Sequence, residues 1–358
     1  MYKNFFKNKK VLVTGNTGFK GAWLTLWLLK SQAKVIGISN SSPSKPSLFE
    51  ILKLKKKIIH NNIDIRDFKS VKKIIIKHKP DYVFHLAAQS LVKKSYLNPL
   101  YTWQTNTLGT VNLLESLRYL KKKCVGIIVT SDKSYKNLEV ERGYVETDIL
   151  GGEDPYSASK ASAEIVFNSY IKSFYKSKKQ HIFLASVRAG NVIGGGDWSD
   201  YRLIPDCIKS WSKKKSVMIL NPNSTRPWQH VLEAIRGYLV LAIKLNKDKK
   251  IHGQSFNFGP PKRNNYTVIS LVKEIQKYWV NIKWKKSLTK KKYLEAKLLK
   301  INSAKAEKIL KWKCFLNFNK TIKFVAEWYK DYYKNSKKNM YHFSMKQIED
   351  YENLIKNK

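Results

Sequence analysis

The chain has 358 residues, 43% of them hydrophobic, and a formal net charge of +43; that is enough apolar material for a substantial core, so a disordered polymer is excluded. Only eight of the 69 basic residues are arginine, and the lysines run from Lys3 to Lys358 with loose clusters at 53–57, 121–123, 213–215 and 290–292. Base readout in a groove leans on clustered arginine, so the charge reads as a lysine-biased solvated surface without a specific nucleic-acid partner.

Residues 9–40, "KKVLVTGNTGFKGAWLTLWLLKSQAKVIGISN", begin with an apolar strand, pass through three glycines, continue with helix-period apolar residues and return to a strand at "KVIGIS". This pattern predicts a βαβ unit. Gly15, Gly18 and Gly21 stand in a G-x-x-G-x-x-G spacing, which lets backbone approach a pyrophosphate and lets helix pack on strand. Thr17, Gly18 and Phe19 form the turn that would lie against a dinucleotide. The carboxylate that commonly follows about 20 residues later to hold the ribose of NAD is missing. Ser39 or Asn40 remains to bond a hydroxyl, and Lys45 to meet the extra phosphate of NADP. The apolar stretch "AWLTLWLL" at 22–29 is too short to span a bilayer and follows a polar start, so neither a membrane partner nor a secretion signal is expected.

Further strands are expected at Ile63 to Ile65 and at 81–88, 126–132 and 182–190, each separated by a stretch able to form a helix. The alternation predicts an α/β fold of Rossmann type, a doubly wound parallel sheet. Asp64 and Ile65 would then face the adenine, and Ala87, Ala88 and Gln89 would line the cofactor. Cys124, Cys207 and Cys314 match no metal-ligand or redox spacing, so ordinary thiols in a reducing cytoplasm and no metal site are expected.

Tyr156 and Lys160 in "DPYSASKASAE" are four residues apart, which puts both on one face of a helix. A nearby ammonium favours the phenolate, so the pair supplies a base for a hydroxyl proton as hydride leaves for a nicotinamide. After Asn191 the texture changes to "GGGDW", a helix at 203–212, and short strands near "SVMILN" and "QSFNFGP". The expected organisation is a cofactor domain at 1–190, a smaller C-terminal substrate-binding lobe at 191–335 with segments able to return to the sheet, and a tail at 336–358 that frays or forms a peripheral helix.

The series "VLVTGNTGFKGAWLTLWLL", "HLAAQSLV", "TSDKSY", "LGGEDPYSASKASAE", "RAGNVIGGGDW", "RLIPD", "RPWQHVLE" and "FNFGP" resembles the extended short-chain dehydrogenase/reductase family, nucleotide-sugar class, over residues 8–330. Within that class the resemblance is to dehydratases that carry Asp-Lys where related ones carry Asp-Glu. It implies NAD as a recycled cofactor and CDP-glucose as substrate. It also implies elimination of water across C5 and C6, a homodimer or homotetramer, and a place in deoxysugar biosynthesis for surface polysaccharide. By the same resemblance Asp132 is the acid, Lys133 the base, and Ser131 the hydroxyl beside the C4 oxygen. Asn191 would hold nucleotide-sugar phosphate, and Arg226 would grip the pyrophosphate, with Arg202 a further candidate. Trp198, Trp228 and His230 stand near these motifs but are residue types more often found in cores. Asn16, Ser134 and Lys136 depart from the histidine, cysteine and glutamate common at those places.

Two rivals stay open on residues alone. A 4-epimerase of the same fold has no need of the acid and base in "TSDK". A cofactor-binding regulator without catalysis has no need of Tyr156 with Lys160.

Overall fold

The computed structural model describes residues 2–177, 181–261, 266–279, 283–287, 298–334 and 339–357. Seven parallel strands form the central sheet: β1 (Lys10–Thr14), β2 (Lys34–Ile38), β3 (Ile59–Asn61), β4 (Tyr82–His85), β5 (Cys124–Val129), β6 (Ile182–Ala189) and β7 (Ser255–Phe258). Their order is β7-β6-β5-β4-β1-β2-β3, every pair parallel. The strand order therefore reverses between β1 and β4, the point where open α/β sheets place ligands at their carboxyl ends.

Each strand feeds two layers, because successive side chains point to opposite faces. Val125, Ile127 and Val129 of β5 join the layer built with helices Phe19–Lys30 and Val231–Lys247, whereas Cys124 and Ile128 join the layer built with Phe68–His78, Gly109–Arg118 and Pro155–Phe174. Burial on both faces explains why these strands read as unbroken apolar runs.

One strand differs from the sequence reading, and one segment after residue 190 returns to the sheet. The third strand lies at Ile59–Asn61 and not at Ile63 to Ile65. The amide of Ile63 donates to the Asn61 carbonyl and that of Asp67 to the Asp64 carbonyl, so 61–67 is a turn into the Phe68–His78 helix, capped by Asp67. Ile65 is apolar because it is buried against Gly109, where even a Cβ would stand 2.8 Å from its Cγ2. The "QSFNFGP" strand belongs to the main sheet, as β7 beside β6.

Outside the main sheet, the residues after 190 form short pairings: Val192–Ile193 with Gln229–His230, Thr225–Arg226 with Tyr266–Thr267, and Val217–Ile219 with Trp284–Lys286. Helix Leu203–Ser212 falls where its period predicts. Of the two outcomes expected for the tail, the described residues form the helix. Helix Met340–Lys356 buries Met340, Ile348 and Tyr351; Trp27 Nε1 donates to Glu352 Oε1 at 2.9 Å, and Tyr351 donates to Glu233 Oε2 at 2.5 Å. This cover explains why helix Phe19–Lys30 is apolar nearly all round: sheet lies on one side and the Met340–Lys356 helix on another. No helix among the described residues is long and apolar enough to cross a membrane.

Candidate active site

A cleft of about 850 Å³ lies at the carboxyl ends of the central strands. The loop after β1 forms its floor. Gly15 has φ +74°, and a Cβ there would stand 2.7 Å from the Ala87 amide nitrogen; at Gly21 it would stand 2.0 Å from the Gly15 carbonyl oxygen. The first position needs a left-handed residue without a side chain, and the second lets the helix seat on the loop. Gly18, the N-cap of Phe19–Lys30, offers no side-chain cap, and the first turn has no acidic residue. That leaves amide donors facing the cleft, the arrangement that accepts an anionic phosphate. Gly15→Ala is expected to destabilise the protein by on the order of 2 kcal/mol through backbone strain and to abolish dinucleotide binding. A urea midpoint and a fluorescence titration with NAD would check both.

Thr17, Phe19, Asp64, Ile65, Ala87, Ala88 and Gln89 all line this cleft. Several have less freedom than their motifs suggest. The Gln89 side chain donates to the Leu91 carbonyl and to Thr102 and accepts from the Leu91 amide, so it shapes its own loop. Ser39 lines the cleft too, and its hydroxyl donates to Asn16 and accepts from the Thr17 amide of the phosphate loop. Asn40 donates to Asp64 at 2.8 Å, and Arg66 pairs with the same carboxylate at 2.7 Å. Hydrogen bonding from Arg66 holds Asp64 below the usual carboxylate range. Lys45 is not among the lining residues.

The catalytic candidates converge on the opposite wall. Asp154 caps helix Pro155–Phe174, accepting from the amides of Tyr156 and Ser157 at 3.0 Å, and so fixes the turn that carries Tyr156. Tyr156 and Lys160, one turn apart, are both buried and both line the cleft. Burial pushes Tyr156 up to about 12, and what opposes it is the Ser131 hydroxyl and the Arg202 guanidinium, with the Asp132 and Asp154 carboxylates raising it further. Lys160 itself is lowered to about 8 by burial and by repulsion from Lys20, against the pull of Glu164.

At the end of β5 the chain makes one 3₁₀ turn, Asp132–Ser134. Ser131 Oγ accepts from the Lys133 amide and donates to Asp132 Oδ1 at 3.0 Å. Asp132 is 5% exposed, and burial raises its pKa against the pull of Lys133, the Ser131 hydrogen bond and Lys20. Lys133 is half-buried. Beneath the turn, Glu164 accepts from Thr130 Oγ1 at 2.5 Å, Ser186 at 2.9 Å and Arg188 at 2.8 Å. This ion pair, missed in the sequence, ties β5, β6 and the Tyr156 helix together.

Asn191, Arg202, Arg226 and Trp228 line the cleft from the smaller lobe. Arg202 pairs with Asp197 at 2.9 Å and donates to Ser90 at 3.2 Å, across the cleft mouth. Arg226 donates to its neighbour's carbonyl, Thr225, at 2.8 Å. Trp198 instead packs edge-on to Trp328, Tyr329 and Tyr332, and His230 caps the Val231–Lys247 helix by accepting from the Leu232 amide; both are core residues. The sequence reading also passed over His85. Bonded to Thr14 and Thr110 and lowered to about 3 by burial, it is a neutral tie between β1, β4 and the Gly109–Arg118 helix.

A Gly-lined phosphate floor, a buried Tyr-Lys pair and an Asp-Lys turn in one cleft define a dinucleotide-dependent enzyme class acting on hydroxyl-bearing substrates. The chain belongs to the GDP-mannose 4,6-dehydratase family, whose model matches residues 12–325. It is 41% identical over 353 residues to the CDP-glucose 4,6-dehydratase of Salmonella typhimurium, covering 98% of each chain. The fold is shared with UDP-glucuronic acid 4-epimerase from Bacillus cereus, solved with UDP-glucuronic acid and NAD: TM-score 0.77, 23% identity, 90% of this chain and 99% of that one. It is also shared with dTDP-glucose 4,6-dehydratase from Bacillus anthracis in complex with NAD: TM-score 0.74, 21% identity, 90% and 97% of the two chains.

Proposed function

We propose that the protein is a CDP-glucose 4,6-dehydratase, a hydro-lyase that converts CDP-D-glucose to CDP-4-keto-6-deoxy-D-glucose and water with NAD as a recycled cofactor. The observation that carries this reading is the Asp132–Lys133 turn, held in the same cleft as Tyr156 and Lys160. An epimerase working only at C4 has no use for that second acid-base pair. The 41% identity over nearly the whole length supports the nucleotide.

The floor fits NAD: a Cβ-free loop, an uncapped helix start and the Asp64–Ile65 and Ala87–Gln89 walls would hold it. When bound, NAD supplies the acceptor for the C4 hydride and its return to C6. Tyr156 takes the C4 hydroxyl proton, and Ser131 holds that oxygen in place. The C4 ketone acidifies the C5 hydrogen, which Lys133 Nζ accepts. Asp132, kept protonated to higher pH by its burial, gives its proton to the C6 oxygen, which departs as water. Asn191, Arg202 and Arg226 take the diphosphate.

We place the enzyme in the cytoplasm, consistent with three free thiols, and as a homodimer. Leu97, Leu100, Leu108 and Ile165 are each more than half exposed on the helices at 92–118 and 155–174. A Leu100→Glu, Ile165→Glu double variant is expected to sediment as a monomer where the parent sediments as a dimer.

The decisive experiment incubates the protein and NAD with CDP-, dTDP-, GDP- and UDP-hexoses and weighs the products. Loss of one water from CDP-glucose alone supports the reading. Loss from another donor overturns the nucleotide assignment, and no loss from any donor overturns the reaction.

A further inference from the structure

The turn at 194–198 is seated by two helices far apart in sequence, Phe19–Lys30 and Phe318–Lys334. From the first, Phe19 lies so close that a Cβ on Gly194 would stand 3.0 Å from its Cζ, and Trp23 Nε1 donates to the Gly195 carbonyl at 2.9 Å. From the second, Trp328 packs so that a Cβ on Gly195 would stand 2.1 Å from its Cγ. The next residue of that helix, Tyr329, donates its hydroxyl proton to the Asp197 carbonyl at 2.5 Å and accepts from the Asp197 amide at 3.1 Å. One hydroxyl satisfies both backbone groups of one residue. That holds Asp197 on both sides of its Cα and sets the direction in which its side chain leaves.

Asp197 is 4% exposed and lines the cleft. A carboxylate on the wall of a diphosphate site opposes the anion unless its charge is used. Here it is used: Oδ1 accepts from the Ser199 amide at 3.0 Å and Oδ2 from Arg202 at 2.9 Å. A guanidinium presents its donors in a rigid fork, so protein can hold one edge while another faces an anion. Arg202 also reaches Ser90 at 3.2 Å, on the loop after β4, which sets it between the two walls of the cleft mouth.

Resting on the reading above, in which Arg202 takes the substrate diphosphate, we propose that Tyr329 and Asp197 are positioning residues for that group. Tyr329 aims the Asp197 carboxylate, and the carboxylate holds Arg202 in the orientation that receives the diphosphate. Tyr329 itself is fully buried and lies outside the cleft lining, so its influence on the substrate passes through Asp197. Holding a long, rotamer-rich side chain ready in its bound orientation raises affinity by reducing the ordering cost of binding.

The test is calorimetric titration of the NAD-loaded protein with CDP and with CMP, which lacks the second phosphate. Tyr329→Phe keeps the ring and removes only the hydroxyl; it should weaken CDP about fivefold, the worth of one hydrogen bond. Asp197→Asn should weaken CDP about tenfold, since the bond it breaks is to a charged group. CMP affinity should not move in either variant. In an Arg202→Gln background both effects should vanish, because residues acting through one guanidinium are not additive, whereas mere support of the fold would persist. Undiminished effects in that background overturn the proposal, as do equal losses for CDP and CMP, or tighter CDP binding by Asp197→Asn. Should Tyr329→Phe fail to fold, the Asp197→Asn cycle decides alone. If another nucleoside diphosphate binds in preference to CDP, the nucleotide reading fails, and the same cycle run with that nucleotide and its monophosphate upholds or overturns the positioning roles.

Discussion

Lys133→Met should abolish elimination, lowering water loss from CDP-glucose by about 10²–10⁴-fold, the usual worth of a placed general base. Oxidation at C4 uses Tyr156 and should survive. Borodeuteride trapping should therefore recover a labelled hexose from the variant, whereas the parent gives the 6-deoxy product. Exchange of the C5 hydrogen with deuterated solvent should disappear with the lysine. Retained C5 exchange in Lys133→Met would move the base elsewhere, and Asp132→Asn, which keeps shape but gives up no acidic proton, would then show whether the turn takes part at all.

The second large effect is on stability. Glu164→Gln removes the charge opposite Arg188, whose side chain is 2% exposed, and leaves a guanidinium buried without its counter-ion. Breaking one partner of such a pair costs about 3–5 kcal/mol, read as a lower urea midpoint. Burial pushes the Glu164 carboxyl up, but the Arg188 charge and hydrogen bonds from Arg188, Thr130 and Ser186 outweigh it, so the folded pKa lies below the ordinary glutamate value. A depressed carboxylate contributes stability that is complete above its unfolded pKa and is lost as pH falls through the folded one. The parent and Glu164→Gln should therefore differ by a constant amount near neutrality and converge only in acid. Because Thr130 leads directly into Ser131 and Asp132, the variant should also lose activity below its melting range.

Much of this candidate site is legible in the sequence because its chemistry is compressed into short segments. Gly15, Gly18 and Gly21, Tyr156 with Lys160, and Asp132 with Lys133 are each local patterns whose meaning depends on few neighbours. What stayed hidden depends on distance in sequence. Glu164 and Arg188 look like any helix glutamate and strand arginine until the Pro155–Phe174 helix and β6 bring them to 2.8 Å. Ser39 and Gln89 look free as letters, yet the phosphate loop consumes the first and its own loop the second. The third strand is misplaced in the sequence because Ile63 and Ile65 alternate as a strand would, while Ile65 is buried in a turn against Gly109 and Ile63 only partly.

The contact between Trp27 and Glu352 joins residues 325 positions apart. A ribosome supplies the phosphate loop early and its cover much later, and closing so long a loop is slow compared with local helix formation. The nascent helix behind the dinucleotide floor must wait with Trp27 bare, a window in which chaperones rather than cofactor would be its first company.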